Sequence, residues 1–321
     1  MIATAPGKLI LTGEYAVLDG APALVVAVDR RVVARRRAGP RGSSPFLVAV
    51  ADELARRFGA DDPAARCALE IAVDSSAFYD RAGAKIGIGS SAAVTVAGVA
   101  LALSERGPVL DRDEVMAIAL AAHAAAQSAR GSAGSGADIA ASVHGGAIVF
   151  RATTDGVDVE RRRWPSTVRL VPFFTGRSAD TATLVAGVAA ARRASPDAVD
   201  AALVAIADAS HAACAALSAP PELAATAVVA GFSLAGAAIQ RLSVATGIAL
   251  VPDCVNAARS AMAQLGGTAK TTGAGGGDVG IAVLPGTADV TIATRLLIEA
   301  GCQPLQLSLD DTGVDLRPDA Q

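Results

Sequence analysis

Hydrophobic positions along this chain follow two periods, and the change from one to the other lays out the elements. Residues 24–33, LVVAVDRRVV, are rich in β-branched side chains and predict a strand. Residues 46–58 carry apolar side chains at helical spacing and stop at Gly59, which predicts a helix with a glycine terminator. A strand is expected over 68–73 and an uncharged, small-residue helix over 92–103. Asp111 is placed to cap a helix running to about residue 130. Residues 130–140 are a Gly/Ser loop entering a helix with Asp138 in its first turn; Gly145-Gly146 end that helix, and 147–151 read as a strand. Farther on, 168–174 predict a strand and 178–193 a helix, followed by long Ala-rich helices to about residue 265. A strand at 281–284, a helix at 287–300 and short closing strands complete the chain. Near the start, Pro6-Gly7 and Gly13 read as punctuation between short extended pieces. Strands and helices are mixed without an internal repeat, and the hairpin-like pieces favour an α+β fold. A boundary is expected near Trp164-Pro165, giving domains 1–165 and 166–321.

Composition narrows the class. A chain of 321 residues suits two domains, and 52% apolar against 18% charged residues supplies a large core. A net charge of −3 gives no reason to expect nucleic acid or an anionic membrane as a partner. Arg35-Arg36-Arg37 and Arg161-Arg162-Arg163 are short runs that read as solvated strand ends. Cys67, Cys214, Cys254 and Cys302 are scattered without a C-x-x-C pair, which reads as reduced thiols in a cytoplasmic setting. Residues 1–4 have neither the charge nor the apolar run of a signal peptide. The most apolar runs, 92–103 and 225–239, are short or rich in small residues and make no convincing membrane span.

The chemistry concentrates at Lys85-Ile86-Gly87-Ile88-Gly89-Ser90-Ser91-Ala92-Ala93. Two glycines permit close backbone approach, two hydroxyls follow, and a helix begins there; unpaired N–H groups and the helix dipole favour an anion at such a start. Ser90 and Ser91 are suited to capping the helix, to phosphate oxygen or to Mg²⁺. The string also fits the loose dinucleotide pattern G-x-G-x-x-[GA], with Glu105 downstream, but 78–84 is a poor preceding strand, and no Walker loop occurs anywhere. The plainest alternative is a glycine turn and serine cap before a buried helix. Lys8 and Glu14 sit among apolar neighbours, where a solvated head group on a surface strand is the default. His123 lacks a second ligand at i+4 and reads as an ordinary half-buried histidine. Asp138 is either a first-turn acid offsetting the dipole or a carboxylate beside transferred phosphate.

Three glycine-rich segments together are far more specific than any one of them. Pro6-Gly7-Lys8 with Gly13-Glu14-Tyr15, then residues 87–93, then Gly273-Ala274-Gly275-Gly276-Gly277-Asp278 resemble the three motifs of the GHMP small-molecule kinases. Within that family the likeness is strongest to the phosphomevalonate kinases, through Gly13-Glu14-Tyr15, Lys85, Gly134-Ser135-Gly136-Ala137-Asp138 and Lys270-Thr271-Thr272 leading into the last glycines. Residues 174–181 also look like the stretch that opens the second domain in that branch. The resemblance implies a two-domain α+β kinase using ATP and Mg²⁺ in a cleft between domains, acting on a small-molecule acceptor. It implies that Lys85, Gly87, Gly89, Ser90, Ser91 and Ala92 hold the triphosphate and that Lys8 and Asp138 flank the acceptor. By the same likeness Glu14, Tyr15, Ser135, Gly136, Lys270, Gly275 and Gly276 belong to the substrate side, and Ser91 and Gln127 to the metal. Gln127 is a departure, because many family members carry a metal-binding Glu eleven residues before the catalytic Asp. The expected reaction is phosphoryl transfer to phosphomevalonate; mevalonate kinase, another kinase of the family, and ATP-dependent diphosphomevalonate decarboxylase are the alternatives. With an alcohol acceptor Asp138 would act as a base worth roughly 10²–10⁴-fold. With a phosphate acceptor, whose second pKa is about 6, it would orient instead.

Overall fold

A computed structural model describes residues 1–37, 44–80, 83–107, 109–131, 134–154 and 156–319. Ser132 and Ala133 of the second loop, and Arg81 and Ala82 ahead of the first, lie outside the described residues. In chain order the elements are β1 (Ile2–Thr12), β2 (Ala23–Arg36), α1 (Pro45–Phe58), α2 (Pro63–Ala68), β3 (Ile71–Asp74), α3 (Ser90–Leu103), α4 (Arg112–Ser128) and α5 (Ala137–His144). There follow β4 (Ala147–Thr153), β5 (Gly156–Arg162), β6 (Val168–Phe174), α6 (Thr181–Ala194), α7 (Pro196–Ala216), α8 (Pro221–Thr246) and α9 (Asp253–Ala263). The chain closes with β7 (Thr268–Thr271), β8 (Val279–Pro285), α10 (Val290–Glu299), β9 (Gln303–Pro304) and β10 (Asp315–Arg317). A six-stranded sheet has the order β10-β1-β2-β4-β5 with β3 also on β2, and a four-stranded sheet the order β7-β8-β6-β9. The mixed α+β class is as expected.

Two compact units form, and neither is a single stretch. The first comprises Met1–Leu9, Val26–Ile148 and Ser308–Gln321; the second comprises Ile10–Val25 and Val149–Leu307. This differs from a single cut at 165. The cause lies in the first unit: β10 pairs antiparallel with β1, Ile2 opposite Arg317, and the Arg31 guanidinium binds the Asp310 carboxylate and donates to the Gly313 carbonyl at 2.6 Å. A weak three-residue strand carries no such message in its own composition.

Local signals worked where they were strong. The Asp111 carboxylate accepts from the Asp113 and Glu114 N–H groups at the start of α4, and Gly59 terminates α1. They failed elsewhere, as three cases show. Residues 68–73 are not one strand: Asp62 caps α2, which runs to Ala68, and β3 begins at Ile71. The strand β7 was unforeseen, since four residues give little periodicity; it is paired along β8, Thr268 opposite Val283. Most informatively, β1 runs unbroken through Pro6-Gly7. On its β10 side only Ile2, Ala3 and Thr4 are paired, so the missing Pro6 N–H breaks no bond of that ladder. In the second unit α7 and α8 are long and apolar enough to cross a membrane by length and composition. They pack on each other, and Val199, Leu203 and Ile206 of α7 join Ala235, Ile239 and Leu242 of α8 in the core.

Candidate active site

In the first unit, the glycine loop is built against β1. A Cβ on Gly7 would lie 2.8 Å from the Ile88 carbonyl oxygen and 3.0 Å from the Phe78 ring, so only glycine admits the loop this close. The next residue fastens it: the Lys8 N–H donates to the Ile88 carbonyl at 2.9 Å. Gly89 then turns the chain into α3 with φ +82°, and a Cβ there would sit 2.7 Å from Lys8 Cε and 3.0 Å from Cγ. The lysine stem therefore lies across Gly89. Two motifs 80 residues apart in sequence are one structural feature, with an ammonium group brought to the mouth of a helix.

That mouth is open in the chemical sense. Among the described residues no side chain is seen to cap α3, whose N-cap is Gly89, and the first N–H bonded back into the turn is that of Ala93, to the Gly89 carbonyl. Ser90 and Ala92 are buried and Ser91 is half-buried; Lys85 is exposed just upstream, with Gly87 half-buried between. The helix behind the mouth is buried on every side from Ala92 to Ala102 and carries no charge, so nothing on it offsets the dipole.

Asp138 starts α5 after Gly136, at φ +85°, with Ser135 beside it and its Oγ 3.3 Å from the Ala137 N–H. One turn on, the Ser142 hydroxyl donates to the Pro6 carbonyl at 2.8 Å. Residues at i and i+4 share a helix face, so Asp138 lies on the side of α5 that docks on β1 near Lys8. No ion pair joins Lys8 and Asp138 among the described residues; one carboxylate oxygen takes the Ile139 N–H at 3.0 Å, as a first-turn acid would. His123, expected to be an ordinary half-buried histidine, is more enclosed than that. It is buried, 3% exposed, its ring stacks on Phe46, and its Nε2 lies 3.3 Å from Ser91 Oγ. The available signal was helical spacing: Gln127, one turn farther along α4, is on the same face. Among the described residues there is no group of three or more His, Cys, Asp or Glu able to hold a metal.

The second unit holds most of the residues expected on the substrate side, and each is tied into the fold. Glu14 is no solvated strand residue but is 2% exposed, and Lys270 is 1% exposed. Lys270 Nζ bonds the Glu14 carboxylate, the Leu11 carbonyl at 2.7 Å and the Thr271 carbonyl at 2.6 Å. Its three protons are all engaged, which leaves none for a ligand. Burial pushes the Glu14 carboxyl above its ordinary pKa despite the opposing pull of Lys270. The Tyr15 hydroxyl donates to the Ala274 carbonyl at 2.6 Å, and burial with the neighbouring Glu14 charge raises its pKa. Gly275 and Gly276 have φ of +74° and +72°, and their N–H groups go to the Thr272 and Leu250 carbonyls. These five residues hold the third glycine turn in place instead of presenting free donors. Asp278 continues the theme at φ +51°: its backbone bonds Thr175 and Arg177, and its carboxylate the Ala179 N–H.

A glycine loop opening a helix that Gly89 leaves without a capping side chain, with a lysine laid across it, has the donors and the charge to receive an anion. Comparisons with known proteins give the family. The GHMP kinases N terminal domain model matches residues 45–146. Phosphomevalonate kinase of a Streptomyces species is 30% identical, over 95% of this chain and 96% of its own. Among solved structures, a Lin0012 protein from Listeria innocua superposes with a TM-score of 0.81 at 20% identity, covering 98% of this chain and 99% of its own. Streptococcus pneumoniae phosphomevalonate kinase in complex with phosphomevalonate and AMPPNP gives 0.77 at 18%, covering 96% and 99%. The chain belongs to the GHMP kinase family. It is a phosphotransferase.

Proposed function

We propose that this enzyme transfers the γ-phosphoryl group of ATP to phosphomevalonate, giving diphosphomevalonate and ADP in the mevalonate pathway. The observation that carries the reading is the Lys8 stem lying over Gly89 at the open end of α3. The substrate class is supported by the relative that matches along 95% of the chain, a phosphomevalonate kinase, and by the fold shared with one that binds phosphomevalonate and AMPPNP.

Phosphoryl transfer asks a protein for positioning and charge neutralisation more than for covalent chemistry. The α3 N–H groups, with Lys85, receive the triphosphate. Lys8 neutralises charge where two anionic groups are forced together. A phosphate acceptor is largely ionised at neutral pH, with a second pKa of about 6. Asp138 then serves as an orienting group, with one carboxylate oxygen held by the Ile139 N–H. Ser91 and Gln127 are neutral oxygen donors, which fits Mg²⁺ arriving with the nucleotide, since that ion usually keeps phosphates and waters as most of its ligands. The ion would screen the phosphate charges.

The test is ADP release with ATP and each of phosphomevalonate, mevalonate, diphosphomevalonate and homoserine, with CO₂ followed in parallel. Phosphomevalonate should be turned over far faster than the others. Equal or faster turnover of mevalonate would reject the acceptor while leaving the family intact, and CO₂ with ADP would mean a decarboxylase.

A further inference from the structure

We propose that His123 is a positioning residue for Ser91: its Nε2 accepts the serine hydroxyl proton and so turns the Oγ lone pairs toward the cation that accompanies the nucleotide. The inference rests on the phosphotransfer reading above and deepens it by assigning a role that the sequence did not show.

A buried imidazole is costly unless its nitrogen finds a partner. His123 has one, Ser91 Oγ at 3.3 Å. The ring is fixed as well as buried. It stacks on Phe46 at a centroid distance of 5.2 Å and an interplanar angle of 21°, and Phe46 is itself buried in the first turn of α1. Three helices thus converge on one hydroxyl: α1 holds the ring, α4 carries it, and α3 carries the serine. A serine in a first helical turn ordinarily satisfies itself on nearby backbone. Ser91 instead has a ring nitrogen within reach.

The contact has two senses. If Nε2 donates, Ser91 keeps its proton for a phosphate oxygen. If Nε2 accepts, the proton is taken and the lone pairs are left for a cation. Donors are already plentiful here: the α3 N–H groups, Lys8 and Lys85. Acceptors are scarce, because position 127 is an amide and no acidic cluster occurs among the described residues. The accepting sense supplies what the site lacks. A partner of this kind orients a ligand and raises its basicity, and losing one typically costs 10–100-fold in metal affinity. Gln127, one turn beyond His123 on α4, places the second oxygen donor on the same helix face.

The experiment measures Mn²⁺ binding to the protein–AMPPNP complex by the free-ion electron paramagnetic resonance signal, and AMPPNP affinity without metal by calorimetry. His123→Leu keeps an apolar contact with Phe46 and removes the acceptor. It should weaken Mn²⁺ binding about tenfold or more, with metal-free AMPPNP affinity within about twofold. His123→Gln, whose amide oxygen reaches the Nε2 position, should recover most of the loss; His123→Asn, one bond shorter, should not. The Gln and Asn comparison decides the matter if the Leu variant does not fold. Unchanged Mn²⁺ binding in His123→Leu, equal behaviour of Gln and Asn, or an equal loss of metal-free AMPPNP would overturn the role. Wild-type protein that binds no AMPPNP would instead overturn the phosphotransfer reading, and this inference with it.

Discussion

At the residue scale, the glycines of the first loop are distinguished by what a side chain would strike. Gly89 has φ +82°, where an L-residue costs roughly 1–2 kcal/mol, and its absent Cβ is the space the Lys8 stem occupies. Because the far end of a lysine can move aside, Gly89→Ala should fold with a loss of about 1–2 kcal/mol in denaturant titration, yet put a methyl group where the backbone must approach phosphate closely and so weaken AMPPNP in calorimetry. Unaltered nucleotide affinity would mean the loop is only a helix start. Lys8→Met separates stem from charge: the stem stays over Gly89, so AMPPNP affinity should hold while kcat falls by orders of magnitude. A Met variant with wild-type turnover would remove Lys8 from the chemistry. Of this site, the glycines and serines were legible because they form a contiguous string. His123 was not, because its meaning depends on a contact 32 residues away.

At the element scale, β7 and the turn after β1 are joined by an ion pair that neither segment announces. Lys270 reads as one more cation for phosphate only until its three protons are traced to Glu14, Leu11 and Thr271. A sequence shows that charges exist, but the difference between a ligand-binding lysine and a structural one is burial, and burial is set by the whole fold. Lys270→Met should leave a buried, unpaired carboxylate, a change worth about 3–5 kcal/mol. The pH dependence follows from the direction of the Glu14 shift. Its folded pKa lies above the ordinary 4.5, so its contribution to stability is full below that value and is lost as pH rises through the folded pKa. Removing Lys270 takes away the attraction that opposes the rise. The penalty in Lys270→Met should therefore be larger at pH 7 than near pH 4.5, measured by denaturant midpoint at each pH. A loss independent of pH would show that Glu14 is already protonated in the native protein.

At the scale of the whole molecule, the elements came out of the sequence better than their grouping. Helices α1 and α4 carry their own stop and start signals, and β2 its own β-branched run, so each is found from within. The grouping depends on short returns of the chain: Ile10–Val25 enters the second unit, and Ser308–Gln321 comes back to the first. In the first unit that return supplies β10, the Asp310 partner of Arg31, and Gly313, packed so closely on Gly145 that neither position has room for a side chain. In the second, the early segment supplies Glu14 to Lys270, Tyr15 to the Ala274 carbonyl, and Thr12 to Ser210 at 2.9 Å. A cut at 165 therefore removes a structural piece from both units. Residues 1–165 lack β10 and leave the Arg31 guanidinium without its carboxylate; residues 166–321 bury Lys270 with no counter-charge. Neither fragment, expressed alone, should show a cooperative thermal transition or dispersed amide resonances. A chain ended after Leu307 should melt well below the full-length protein, since it loses the return strand alone. A cooperative transition in residues 1–165 would show that the core around α3, α4 and α5 stands without β10, and would restore the single boundary at Trp164-Pro165.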